Sequence, residues 1–277
     1  MSVRPQLEDE LGDVLEKALR NAGMCAEELA RVTGIDLQRI LDASDYRYDL
    51  SCVELQRIAA ALGLNEVGVC AISEDRYPLP RLPALSFPLH VLSFPYGIGR
   101  VNCFVAAGTE ALVVDTGNDP DALTGRWPGD AVPGVIFITH WDREHARGID
   151  ALLLKNPRAR IVAPSAGPLR RHVETPGEGD RVEAAGFTVR VLRTPGHTAL
   201  HNAYHLLAPQ GSQGPGVLFS GDLVFAGSLG GALHCCRTLL HEARRILEAV
   251  PPDTIVAPGH GPLTTAATEL KFNPFLP

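Results

Sequence analysis

Four short apolar runs each end in a loop whose side chains could ligate a cation. Val135 to Thr139 leads into His140, Asp142, Glu144 and His145, and Phe187 to Leu192 leads through Thr194-Pro195-Gly196 to His197. Val217 to Phe219 leads through Ser220-Gly221 to Asp222, and Thr254 to Ala257 leads through Pro258-Gly259 to His260. Imidazole nitrogens and carboxylate oxygens are the donors that zinc, iron and manganese take from proteins. A single histidine or aspartate in a loop is usually a solvated bystander. Four such loops, two of them with the same Pro-Gly-His turn, point instead to a shared metal centre.

Buried strands fix where their ends lie, so loops at strand ends can bring distant ligands to one point. The candidate strands Val135–Thr139, Phe187–Leu192, Val217–Phe219 and Thr254–Ala257 are preceded by His90–Phe94, Val101–Ala106 and Ala111–Val114. From there on apolar strand candidates alternate with helical stretches, which predicts a mixed, layered α/β domain over 85–277. Residues 73–84 carry prolines at 78, 80 and 83 and read as a semi-rigid linker. Residues 1–72 have helical periodicity and no strand pattern. Leu7, Leu11, Val14, Leu15 and Ala18 form one apolar stripe. A second helix fits Ala26–Val32 with Leu29 and Val32 inward, and a third fits Ile35–Ala43 with Ile35, Ile40 and Leu41 inward. Ser51 and Glu54 form the capping box of a fourth, which ends at Leu62 before Gly63.

The order T-H-x-x-x-E-H, P-G-H-T, S-G-D and P-G-H-G resembles the metallo-β-lactamase superfamily, in its glyoxalase II-like hydrolase branch. The resemblance runs from about Leu85 to the C-terminus. It includes A-L-V-V-D-T-G at Ala111 to Gly117, L-F-S-G-D-L-V-F-A-G-S at Leu218 to Ser228, and N-P-F-L at Asn273 to Leu276. It implies a four-layer αβ/βα sandwich holding one or two divalent ions. Site one would use His140, Asp142 and His197; site two would use Glu144, His145 and His260; Asp222 would bridge them. Asp115 would support the site from behind. Two cations lower the pKa of a bridging water and clamp the oxyanion of a tetrahedral intermediate, with Glu144 and Asp222 as the catalytic carboxylates. The expected reaction is cleavage of a thioester or ester by metal-bound hydroxide, on a small-molecule substrate.

The family's usual first motif is H-x-H-x-D-H; here it is His140-Trp141-Asp142-Arg143-Glu144-His145. Asp142 replaces a neutral imidazole by an anion, which favours iron or manganese over zinc. Glu144 is longer than the usual aspartate by one methylene and shifts its oxygens by roughly 1 to 1.5 Å. If site two were left vacant, His140, His197 and Asp222 would resemble the facial triad of mononuclear iron oxygenases. The alternative activity is therefore an iron-dependent oxygenase or oxidoreductase, persulfide dioxygenase-like or diiron. Glutathione specificity finds no support, because Lys271 is the only Lys or Arg after Arg245.

Glu27 to Leu41 and Leu55 to Leu64 resemble the Cro/C1 type of helix-turn-helix, whose second helix enters the DNA major groove. Here that helix offers Gln38 and Arg39 as base-reading side chains, beside Asp36 and Asp42. Residues 1–77 hold 15 Asp and Glu against 8 Lys and Arg, a net of −7, while the rest holds 17 of each. DNA binding needs cations to displace counterions from phosphates, so this acidity favours a module for homodimerisation or for covering the catalytic domain. A DNA-binding regulator with a metal-binding sensor domain is the third reading. The six cysteines fit no zinc-finger spacing and are expected to be reduced and mostly buried. No apolar run is long enough for a membrane span and no signal-peptide pattern begins the chain, so a cytoplasmic protein is expected. His201 and His205 are expected in a strand, Ala199–Leu207. His90, His172, His234 and His241 have no motif support.

Overall fold

Three glycines set the lengths of the first helices. Gly23, Gly34 and Gly63 lie at φ of 63°, 67° and 68°, the left-handed conformation that closes a helix at little steric cost. They terminate α1 (Leu11–Ala22), α2 (Ala26–Thr33) and, after α3 (Leu37–Ser44), α4 (Cys52–Leu62). The Ser51–Glu54 capping box is present at the start of α4. The computed structural model, which describes residues 6–47, 49–208 and 214–277, adds a fifth helix, α5 (Glu66–Ser73). Its short run E-V-G-V-C-A-I-S carries too few polar residues to show a period. It starts beside the chain's last helix, and a Cβ at Gly68 would overlap the Phe272 carbonyl.

Two side chains expected inside the helical region are outside: Val32 is 49% exposed and Leu41 41%. The buried stripe of α2 runs through Leu29 and Thr33, and that of α3 through Ile40 and Ala43. Val32 and Leu41 each lie one residue off that stripe, about 100° round the helix. The two candidate base-reading side chains are held within the chain. Arg39 pairs with Asp49 and Glu54, and the Gln38 amide donates to Asp42 Oδ1 at 3.0 Å.

The sandwich follows from alternation along its strands. β1 (Leu89–Tyr96), β2 (Gly99–Ala107), β3 (Ala111–Val114), β4 (Pro133–Phe137) and β5 (Arg160–Val162) form one sheet in that order, with α6 (Pro120–Gly125), α7 (Arg143–Ala146) and α8 (Ile149–Lys155) in the connections. Phe104, Ala106, Leu112, Val114, Val135 and Phe137 face the second sheet. Their neighbours Cys103, Val105, Val113 and Ile136 face outward, where Leu123 of α6 and Leu152 of α8 cover them. The second sheet comprises β6 (Arg181–Ala184), β7 (Phe187–Arg193), β8 (Asn202–Leu206), β9 (Val217–Gly221), β12 (Ile255–Pro258) and β13 (Thr264–Thr265), in the order β13-β12-β9-β8-β7-β6. A small hairpin, β10 (Val224–Phe225) and β11 (Ser228–Leu229), follows β9. The sheet's outer residues Leu192, Ala203, Leu218 and Val256 are covered by α9 (Cys236–Glu248) and α10 (Ala266–Phe272). This is the expected four-layer sandwich.

The N-terminal helices share the core of that last layer rather than forming a separate one. Leu11, Val14, Leu29, Ile58 and Val69 belong to one buried cluster with Val224, Leu229, Leu239, Ala266 and Phe275. Polar ties accompany it. Buried Asp9 accepts from Lys17 and from the Ser228 hydroxyl, and the Asn65 N–H donates to the Pro274 carbonyl at 2.7 Å. The proline-rich segment is anchored too: buried Tyr77 donates its hydroxyl to Glu269 at 2.9 Å. One expectation about the cysteines is corrected. Cys52 and Cys70 are disulfide-bonded, because the turn at Gly63 folds α5 back on α4 and brings their Cα atoms to 5.7 Å. Of the other four, Cys103 is buried, Cys25 is exposed, and Cys235 and Cys236 lie between.

Candidate metal centre

Asp222 is the hub of the site. It follows β9 directly, beside the end of the parallel strand β12, whose continuation carries His260. Its Oδ1 lies 3.3 Å from His145 Nε2; its Oδ2 lies 3.4 Å from His260 Nε2 and 3.8 Å from His197 Nε2. Asp142 Oδ2 reaches in from the start of α7, 3.6 Å from His140 Nε2 and 3.7 Å from His197 Nε2. Ligand atoms of His140, Asp142 and His197 fall within 4.8 Å of one another, as do those of Glu144, His145 and His260, and those of His140, His145 and Asp222. All seven residues singled out in the sequence therefore meet at one place. Two glycines permit it: a Cβ at Gly259 would overlap Asp222 Oδ1, and one at Gly230 would overlap the Asp222 carbonyl.

The hydrogen bonds behind the site fix which imidazole nitrogen faces it. His145 Nδ1–H donates to Asp115 Oδ2 at 2.8 Å. The Thr139 hydroxyl also donates to Asp115, at 2.8 Å, so its lone pairs are left to accept from His140 Nδ1–H at 3.0 Å. His197 Nδ1–H donates to the Gly231 carbonyl at 2.7 Å. In each case the other nitrogen, Nε2, is buried without a hydrogen-bond partner among the described residues, as is Asp222 Oδ1. Orphaned buried groups of this kind are costly unless something satisfies them, and converging bare imidazole nitrogens around carboxylates are what a divalent cation satisfies. The donor set fits such an ion.

Asp115 stands behind the site, as the sequence resemblance implied, on a strained backbone at φ 53°. His201 is wholly used by structure. Its Nε2 accepts the Asp222 N–H at 3.3 Å, and Nδ1 pairs with the Thr194 hydroxyl at 2.7 Å, so no nitrogen is left for an ion. Burial, then charge on His197, pushes its imidazole down to about 3. Burial also disfavours charge on the other rings. On His145 the Asp222 and Asp115 carboxylates override it and hold the imidazole well above its usual range. Burial and the charge on His145 push His140 down. Burial would raise Asp222, yet His145 and His260 hold its carboxyl well below the ordinary range.

Sequence reasoning missed Tyr96. It ends β1 at the mouth of the site, 42% exposed, its ring 6.2 Å from that of His260. Burial and the charge of Glu144, to which it hydrogen-bonds, raise its hydroxyl pKa, so it remains a donor at neutral pH. Nothing in its neighbourhood of sequence marks it, because its partner is 48 residues away in a different loop. Thr139 could have been found, since it immediately precedes His140. His90, His172, His234 and His241 are exposed, as are Arg143 and Arg147 beside the first motif.

The comparisons with known proteins agree with this geometry. A hydroxyacylglutathione hydrolase of Aeromonas salmonicida is 33% identical over 150 residues, 54% of this chain. The match spans 56% of that enzyme, so the chain covers only about half the length of this curated relative. Among solved structures, the BLEG-1 B3 metallo-beta-lactamase superposes with a TM-score of 0.54 at 27% identity, covering 68% of this chain and 99% of that one. TTHA1623 in a di-iron-bound form gives 0.53 at 29% identity, covering 66% and 99%. The family model of the Metallo-beta-lactamase superfamily matches residues 96–260, a span that contains all seven converging side chains and more than half of the sequence. A sandwich of this layering, with His140 to His260 gathered at its strand ends, makes the chain a member of the metallo-β-lactamase superfamily.

Proposed function

We propose that this protein is a metal-dependent hydrolase that cleaves a thioester or ester of a small molecule. The carrying observation is the convergence of three bare Nε2 atoms on Asp142, Glu144 and Asp222 at one wall of the sandwich. His140, Asp142 and His197 would hold one cation, Glu144, His145 and His260 a second, with Asp222 between. Bound there, divalent cations supply a Lewis acid and make water ionisable near neutral pH. The chain's own groups do the rest. Asp115 and Thr139 keep His145 and His140 in the tautomers that leave Nε2 bare. Glu144, half-buried, is placed to take a proton, and the Tyr96 hydroxyl at the mouth donates its one proton to hold that carboxylate. The hydrolase relative supports the reaction class. The test is turnover of a panel of acyl thioesters, lactones and phosphodiesters by protein reloaded with zinc, iron or manganese. Inactivity on every member with metal bound would sink the reading.

Asp142 favours a second reading. A carboxylate where the family usually has an imidazole makes the centre harder and more anionic, which suits iron, and TTHA1623 has been solved with two iron ions. An iron-dependent oxygenase or oxidoreductase would show oxygen uptake dependent on a thiol or persulfide, and iron rather than zinc in protein purified without added metal. A DNA-binding regulator gains no support from Arg39 and Gln38, which already have partners in the chain.

A further inference from the structure

Metal-ligating histidines almost always give their second ring nitrogen to a carboxylate, a carbonyl or another fixed acceptor, which holds the ring and raises its basicity. The sandwich supplies that partner for three of the four imidazoles: Asp115 for His145, Thr139 for His140 and the Gly231 carbonyl for His197. It supplies none for His260, whose buried Nδ1 finds no acceptor among the described residues of the sandwich. The nearest carboxylate comes from outside the sandwich. Glu8, in the segment leading into α1, places Oε1 3.5 Å from His260 Nδ1 with its side chain only 20% exposed.

That placement is built. A Cβ at Gly99 would overlap the Glu8 carboxylate, and one at Gly261 would press on the Glu8 backbone at 3.2 Å, so two glycines on either side of the segment leave room for it. The next residue, Asp9, is clamped between Lys17 and Ser228, which fixes the chain at that point. We infer that Glu8 is a positioning residue: it orients His260 and completes the second cation site, so that occupancy of this site depends on the docked N-terminal helices. This rests on the metal-centre reading above.

The experiment is a titration of the metal-stripped full-length chain with Zn2+ against a chromophoric chelator, read as two successive dissociation constants. Glu8→Ala should weaken the second by roughly 10- to 100-fold, the usual loss when such a partner is removed. Glu8→Gln, which keeps an acceptor but no charge, should fall between. Gly99→Ala, whose methyl displaces the carboxylate while residue 8 stays a glutamate, should reproduce the loss. The first constant and the unfolding midpoint should stay where they are. If the parent binds two zinc ions and all three variants keep the second constant within about two-fold, Glu8 has no such role. A parent that binds fewer than two would overturn both this inference and the two-cation centre. Should Glu8→Ala fold poorly, the glutamine and Gly99 variants decide.

Discussion

Polar side chains are used in opposite ways in two regions of this molecule. At the strand ends, His140, His145 and His197 each satisfy one nitrogen from behind and leave the other bare toward a common point. Among the N-terminal helices, Arg39, Arg47 and Gln38 spend their donors on carboxylates of the same module: Asp49 and Glu54, Asp42 and Asp45, and Asp42 again. Incomplete hydrogen bonding in a buried place is a requirement for a ligand, whereas a self-paired surface asks for nothing. The difference separates a region whose donor set fits an ion from helices whose polar side chains already have partners.

Substitutions can break or sharpen that contrast, and the largest effect belongs to the hub. Asp222→Ala should lower metal uptake by more than about 10²-fold and remove the proposed hydrolysis, since even outer partners of ligands are worth 10- to 100-fold; metal content equal to the parent's would mean that the carboxylate is structural. Asp115→Asn comes next. An amide has one acceptor oxygen, so it cannot serve both Oδ2, which takes His145 Nδ1–H and the Thr139 hydroxyl, and Oδ1, which takes the Thr139 N–H; affinity should fall about 10- to 100-fold in a competition titration while the fold survives.

Away from Glu8, the N-terminal region should respond in stability rather than in metal binding. Tyr77→Phe removes a donor from the buried Glu269 carboxylate and should cost about 1 to 3 kcal/mol in denaturant unfolding. A loss of zinc affinity instead would show that the two regions are more tightly coupled than their hydrogen bonds indicate. Glu269 also gives the contrast a pH signature. Burial pushes its carboxyl up to about 6, against the donors Asn273, Thr264, Gly227 and Tyr77. A folded-state value above the unfolded one means that the native state binds the proton more tightly. Its contribution therefore rises as pH falls from about 6 to about 4.5, by on the order of 2 kcal/mol. Glu269→Gln should remove that rise, and parent and variant curves that run parallel would refute it. The smallest effect is expected for Arg39→Ala in a gel shift at physiological salt: no retarded band for either protein. A salt-sensitive band that the variant loses would place the module among DNA readers.

Much of the metal site was legible because its ligands come in short motifs at the ends of apolar runs, where chain geometry leaves little choice of direction. The strands Ala111–Val114 and Phe187–Arg193 were legible for the same reason, being continuous apolar or alternating runs between turns. What escaped notice depends on distance. Tyr96 meets Glu144, Glu8 meets His260 and Cys52 meets Cys70 only after other elements have packed, and no local pattern encodes such meetings. Val32 and Leu41 were misplaced by one step round a short helix, where eight residues define the inward face poorly. The N-terminal helices read from their own periodicity as a module for homodimerisation or for covering the catalytic domain. Their buried stripe packs with α9, α10 and the β10–β11 hairpin as well as with itself.

That shared stripe bears on how the protein can be handled. Removing the first 72 residues would uncover Val224, Leu229, Ala266 and Phe275 together, a contiguous oily surface of the sort that makes truncated proteins precipitate. An expression fragment cut to the family boundaries should be poorly soluble even though every cation ligand is retained. The short leading segment would then act less as an accessory than as the lid of a jar whose contents spoil when it is taken off.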